Sequence, residues 1–385
     1  MKRKSNKSVC FSVLGSKNTY WYTFEVSKEG EDDRIIVPCR CDCGCPCAKR
    51  FRHDTTAQAT PLLSPTKVLP QKDREGPGWT VVGNQLYRLG GRSSDKSYKK
   101  TRTVRALDLT RNTTTRKSND SGGKWQRKPR MLAPKSAPHA VVVGGKLYVL
   151  GWKEIGNDED QPWAEVYDPA TNTWEALPLP PKILKYNFFW AGLEDDNDGK
   201  KGSIVFLSVL DEILLEYNVA TKSWNVSKLR NGFGGRLRTG SRGGPAVAVG
   251  RMLYWFCDCS CRLYGLHLDS HMLYKSELVV DVPDPEDGPD VEPMLGHLGG
   301  HKFFLLHPNY DDCYVVDDED DYLSHDSDSD SDDDDERPTT TLIRCLKFSV
   351  GLVAGRKRMN ISVESSQSFV IKNGPGLVFK GCVVM

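Results

Sequence analysis

Apolar residues come in short runs of four to six along this chain, separated by polar stretches rich in Gly, Asn, Asp, Thr and Pro. One run is Leu86-Tyr87-Arg88-Leu89, opened by Gly83-Asn84 and followed by Gly90-Gly91. Others are Leu147-Tyr148-Val149-Leu150 between Gly144-Gly145 and Gly151, then Ile204-Val205-Phe206-Leu207, Met252-Leu253-Tyr254-Trp255-Phe256 and Phe303-Phe304-Leu305-Leu306. A weaker copy is Cys10-Phe11-Ser12-Val13-Leu14. Such runs are too short for helices and suit inner strands packed on both faces. With Phe11, Leu86, Leu147, Ile204, Leu253 and Phe303 taken as equivalent, the spacings are 75, 61, 57, 49 and 50 residues. Only the first lies far from a repeat of about 50, the mark of a blade or solenoid architecture.

A second series keeps the same step. Trp125, Trp174, Trp224 and Tyr274 are separated by 49, 50 and 50 residues. Each follows a strand and a turn, as in Glu165-Val166-Tyr167-Asp168-Pro169-Ala170-Thr171-Asn172-Thr173-Trp174. Proline sets φ in that turn and Asx side chains bond the nearby backbone. Glycine allows positive φ and close approach of neighbouring backbone. The aromatic residue supplies buried surface between sheets, and its ring N–H needs a carbonyl. Gly90, Gly91, Gly144, Gly145, Gly151, Trp125, Trp174, Trp224 and Tyr274 are therefore expected to be structural repeat positions.

A Gly-Gly pair before Leu-Tyr-Val-Leu-Gly, then Tyr-Asp-Pro-x-Thr-x-x-Trp, resembles the kelch repeat, and the copy from His139 to Trp174 carries it best. The resemblance is clear from Gly78 to Tyr274 and looser at both ends. As a whole the chain is similar to the plant F-box/kelch-repeat group, without a recognisable F-box ahead of the strand at Cys10. Gly-Gly is missing from the copy at Ile204, and Tyr274 stands in a Trp position. The resemblance implies an all-β propeller of four-stranded blades spanning 1–385, six by the number of copies. Strands expected at Leu342 to Val350, Met359 to Val363, Ser368 to Ile371 and Leu377 to Val384 could complete blade six, close the ring or make a seventh blade.

Composition adds two insertions. Residues 38–78 hold Cys39-Arg40-Cys41-Asp42-Cys43-Gly44-Cys45-Pro46-Cys47 and a Thr/Pro-rich stretch; a smaller cluster is Cys257-Asp258-Cys259-Ser260-Cys261. Structural zinc favours Cys-x-x-Cys pairs, so free thiols are expected and no metal or other cofactor. Residues 317–340 are read as a disordered acidic insertion: 13 carboxylates and no Lys or Arg lie between Asp317 and Glu336. The rest of the chain then holds 53 basic against 38 acidic residues, a net of +15. An acidic arm beside a basic body is expected to compete for the body's binding face, the more so if Ser327, Ser329 and Ser331 are phosphorylated.

No secretory signal or membrane-length apolar run is visible, which predicts a cytoplasmic or nuclear protein with reduced cysteines. No His-Glu-x-x-His, phosphate loop, Gly-x-Ser-x-Gly or dinucleotide fingerprint is present, so the expected function is protein binding without catalysis. A substrate receptor of a ubiquitin ligase is the first alternative and a propeller enzyme the second. The resemblance implies binding by loops between inner and outer strands, here Arg92, Trp152, Lys153, Arg262, His307 and Asn309. Crossings between blades add Arg130, Arg236, Arg238 and Arg242. Basic residues there favour an acidic peptide over nucleic acid, on a monomer.

Overall fold

The computed structural model describes residues 8–14, 18–26, 67–70, 77–93, 99–109, 125–151, 162–182, 188–194, 202–209, 211–229, 244–257, 260–279, 293–309, 339–353, 357–373 and 378–384. Every long element among them is a strand. In chain order, β1 (Ser8–Leu14), β2 (Asn18–Glu25) and β3 (Lys67–Pro70) belong to blade one. Blade two is β4 (Gly78–Val82), β5 (Gln85–Leu89), β6 (Val104–Asp108) and β7 (Gln126–Lys128). Blade three is β8 (His139–Val143), β9 (Lys146–Leu150), β10 (Ala164–Asp168) and β11 (Thr173–Ala176). Blade four is β12 (Phe188–Glu194), β13 (Gly202–Ser208), β14 (Ile213–Asn218) and β15 (Ser223–Lys228), and the two-residue β16 (Gly244–Pro245) runs parallel to β12. Blade five is β17 (Val247–Val249), β18 (Met252–Cys257), β19 (Arg262–His267) and β20 (Met272–Val279). Blade six is β21 (Met294–Gly299), β22 (Lys302–Asn309), β23 (Thr339–Leu352) and β24 (Arg358–Asn373). The last strand, β25 (Val378–Val384), pairs antiparallel with β1 and becomes the innermost strand of blade one.

The ring is closed. Innermost strands touch in the cycle β25, β4, β8, β12, β17, β21 and back to β25. This is an all-β propeller of six blades, and it resolves the open question of the C-terminal strands. The segments read as Met359 to Val363 and Ser368 to Ile371 are one strand, β24; with β23 it completes blade six, and β25 alone closes the ring. Among the described residues no strand is left over for a seventh blade.

The run carrying Phe11, Leu86, Leu147, Ile204, Leu253 and Phe303 takes the second place from the axis in every blade. That corrects its reading as the inner strand, and the reason is geometric. A second strand has a neighbouring blade on each side, so both alternating faces are covered. Leu147 is buried against Tyr87 and Leu89 of blade two, while Tyr148, one residue on, packs with Ile204 and Phe206 of blade four. The buried residues form six clusters, one at each of the six seams. Burying one such Leu or Phe contributes about 1.5–3 kcal/mol, so the seams hold the ring together.

Described strands reach into both segments expected to be insertions, whose other residues lie almost wholly outside the described ones. Residues 67–70 of the expected 38–78 insertion form β3, the outermost strand of blade one, and Gly78 begins β4. Thr339, inside the expected 317–340 segment, already begins β23. The 75-residue gap thus arises within blade one, between β2 and β3.

Turn chemistry follows expectation in blades three and four. The Asp168 carboxylate accepts from the Ala170 amide at 2.9 Å, and Asn218 Oδ1 accepts from Ala220 and Thr221 at 3.0 and 2.9 Å. Gly144 and Gly145 have φ of 58° and 71°, the left-handed geometry their hairpin demands. At Gly90 a side chain is also excluded by space, because a Cβ would sit 2.5 Å from the Lys135 carbonyl oxygen.

Candidate binding face

Antiparallel alternation gives the propeller two ends. On one, here the crossing face, emerge the loops from second to third strand and the crossings from one blade to the next. On the other lie the tight hairpins. Arg92, Arg130 and Arg262 leave from the crossing face, and so does Asn309 at the end of β22.

Arg130 is exposed and Arg92 half-buried. The crossing that carries Arg130 is laced to the neighbouring loop. Met131 N donates to the Arg102 carbonyl at 3.1 Å, Lys135 N to Thr101 O at 3.1 Å, and Gly91 N to Lys135 O at 3.0 Å. An isolated bridge joins Arg92 to Lys100. Beneath them the buried Glu165 of β10 accepts from the Leu132 and Ala133 amides and faces Lys135 Nζ at 2.9 Å. Burial lowers the Lys135 pKa and Glu165 opposes that shift. Lys135 Nζ also donates to the Pro162 carbonyl at 3.1 Å. A fully bonded ion pair therefore locks the crossing between blades two and three to blade three.

Arg262 is half-buried and donates to the Ser276 carbonyl at 2.8 Å, which ties it to the neighbouring strand. His307 is buried at 1% exposure inside β22, away from the rim where sequence placed it. The reason is alternation: the strand continues to Asn309, so His307 still falls under a covered face. Trp152, Lys153, Arg236, Arg238 and Arg242 lie outside the described residues, as do the Cys39 to Cys47 cluster and the acidic run from Asp317 to Glu336. Of the smaller cluster, Cys257 is buried and Cys261 stands at φ 50°. Among the described residues no group of three or more His, Cys, Asp or Glu could hold a metal.

His139 opens β8, its ring 3.9 Å from that of Trp190, and burial pulls its pKa down to about 4. It is packed as an uncharged aromatic.

Two of the expected repeat positions, Trp174 and Trp224, make the ring bond their chemistry requires. Trp174 Nε1 donates to the Pro129 carbonyl and Trp224 Nε1 to the Pro178 carbonyl, each at 3.0 Å. Each ring thus pins its own outermost strand to the crossing that left the blade before. Both are half-buried rather than enclosed, since outermost strands have open flanks.

A family model described as Kelch motif matches residues 134–178, the span of β8 to β11 with its locked crossing. A kelch motif thus occupies blade three of the six-bladed propeller. Among its relatives are two F-box/kelch-repeat proteins of Arabidopsis thaliana. One is 35% identical over 107 residues, 28% of this chain and 24% of the relative. The other is 35% identical over 114 residues, 30% of this chain and 22% of the relative. The matched part is about a quarter of those relatives' length. Among solved structures, YjhT overlays 61% of this chain and 72% of its own at 15% identity and a TM-score of 0.40, too loose to add to the strand order.

The expected basic positions are spread around the rim, whereas most of the net positive charge belongs to one blade and its exit crossing. Residues 78–138, blade two with its exit crossing, hold 15 Lys and Arg against 3 Asp and Glu. That net of +12 accounts for most of the +15 found outside the acidic run. Arg88, Lys99, Lys100, Arg102, Arg105, Arg127 and Lys128 were missed as candidates. A charge count taken repeat by repeat would have found the sector, although not which residues share a face.

Proposed function

We propose that this kelch propeller is a protein-interaction platform without a reaction of its own, and that its crossing face takes an acidic segment of a partner protein. The observation that carries the reading is the +12 sector of blade two, whose crossing is held by the Lys135–Glu165 lock. Clustered cations on a fixed support raise the local concentration of an anionic partner and steer its approach. The relatives' names, which join kelch repeats to an F-box, favour a second reading: recognition of substrates for a ubiquitin ligase. Both readings use the same face. They part on whether a ligase adaptor co-purifies with the protein.

The test is fluorescence anisotropy of the full chain with a labelled peptide of twenty or so Asp and Glu residues, at low and at physiological salt. Saturable binding that weakens as salt rises is the expected result, because exposed charges are screened over about 8 Å at physiological ionic strength. No binding at low salt would overturn the acidic-partner reading.

A further inference from the structure

Strand register places three arginines of blade two in one line. Arg88 of β5 is the partner of Arg105 in β6, and Arg105 is the partner of Arg127 in β7. Trp79 of β4 stands opposite Arg88 and extends the line to the innermost strand. Paired residues share a face of the sheet, so Trp79, Arg88, Arg105 and Arg127 form one row from axis to rim. The face is the one turned to blade one. Leu86 and Leu107, two positions along β5 and β6, pack there against Cys10 and Trp21. The Trp79 ring lies 4.9 Å from that of Trp21 and 6.0 Å from that of Trp125. The row therefore lies at the mouth of the seam between blades one and two, on the crossing-face side of its hydrophobic cluster.

Like charges directly opposite in a sheet destabilise it, as Arg105 and Arg127 do here. The one carboxylate in these four strands, Asp108, alternates onto the opposite face. On the blade-one side the described carboxylate of matching parity is Glu25, at the far end of β2 beyond Thr23. Arg105 sits half-buried with its Nε enclosed and without a hydrogen-bond partner, while Arg127 is exposed at the outer end of the row.

We infer that this arginine row is the docking element for the acidic segment, with carboxylates or phosphates of an extended peptide lying along the seam from Arg127 inward to Arg105. The inference rests on the acidic-partner reading above and adds its location. Planar guanidinium forks suit bidentate capture of carboxylate and phosphate. The three tryptophans at the same seam provide an apolar wall that excludes water from one side of the contact.

The experiment compares the wild-type full chain with R105Q/R127Q and with K182Q/K228Q, which removes the same charge from exposed positions of the crossing face outside blade two. Anisotropy at low salt is read with the labelled Asp/Glu peptide and, separately, with a single-stranded oligonucleotide of equal charge. R105Q/R127Q is expected to weaken peptide binding by about tenfold or more, and K182Q/K228Q by about twofold or less, since each lost charge-assisted pair removes a strong hydrogen bond. R105Q/R127Q should also melt at the wild-type temperature or above it, because two like charges leave a crowded row; a purely structural pair of arginines would lower it. If the wild type binds the peptide but both double variants lose affinity equally, the row is not the site and the acidic-partner reading stands. If the wild type does not bind the peptide, both fail. If the oligonucleotide binds more tightly than the peptide and alone responds to R105Q/R127Q, the occupant is nucleic acid and the proposal is overturned.

Discussion

Blades three and four are fastened to the ring differently from blades five and six. In the first pair, a tryptophan on the outermost strand reaches back to a proline carbonyl of the preceding crossing, and a tyrosine packs beside it with ring centres 5.0 Å apart. Their turns are near copies, with Asn172 and Lys222 at φ 60° and 53°. In the second pair the join is made by backbone. Outermost strands β20 and β24 pair in parallel through Lys275–Arg358 and Ser276–Met359, merging two blades into one eight-stranded sheet. A bulge between Arg262 and Tyr264 frees β20 to bend outward, and the Ser276 hydroxyl accepts from Leu263 N at 3.1 Å. A side-chain pin needs one residue type at a fixed place, so it repeats visibly in sequence. A strand-to-strand seam needs only extended backbone, so it leaves the residue types free.

The largest expected effect probes the side-chain half. Glu165→Ala should cost about 3–5 kcal/mol, the range for breaking a buried ion pair, because Lys135 and two backbone amides lose their acceptor together. The shift in urea midpoint measures it, and a loss below 1 kcal/mol or so would mean that the crossing is held otherwise. Trp174→Ala and Trp224→Ala should cost about 2–4 kcal/mol each, toward the lower part of the range for aromatic truncation since both rings are half-buried. Tyr274→Ala in blade five should cost clearly less than either. Equal losses at all three positions would erase the distinction between the halves.

A pH titration gives the next effect. His139 has a folded pKa depressed by burial to about 4 from the ordinary imidazole value of 6.5, so the unfolded chain takes up its proton first as pH falls. Its contribution is complete above about pH 6.5 and is lost progressively toward pH 4, on the order of 2–3 kcal/mol over that window. His139→Phe should flatten this part of the stability curve; an unchanged slope would assign the acid sensitivity to other groups. The smallest effect is at the surface. Lys222→Ala breaks the exposed Lys222–Glu175 pair, which joins blades four and three, and should cost about 0.5 kcal/mol or less.

What could be read beforehand divides along the same line. Leu86, Leu147 and Leu253 marked second strands because both of their faces must be covered, and the tryptophan spacing marked outer strands because an indole N–H requires an acceptor. The innermost strands were missed as a class: Met294–Gly299 and Gly78–Val82 face the channel on one side and carry no uniform apolar run. β3 hid in a Thr/Pro-rich stretch, since four residues at a sheet edge impose little on composition. For the binding face, individual arginines were visible, but the row Arg88–Arg105–Arg127 depends on the register between strands joined by long loops. No local pattern encodes that register.

Ring closure by β25 sets a timetable for the chain as it is made. β1 leaves the ribosome well before its inner partner, which lies 375 positions later, Val9 opposite Val384. At about 5–20 residues per second that is a delay of roughly 20–75 s. Throughout it one edge of blade one is a row of unpaired amides and carbonyls, open to any strand that passes. Pairings this distant in sequence are also slow to find once both halves exist. The molecule is therefore most exposed to mispairing in its infancy, and a chaperone that shields the β1 edge should raise its yield more than one acting on the finished ring.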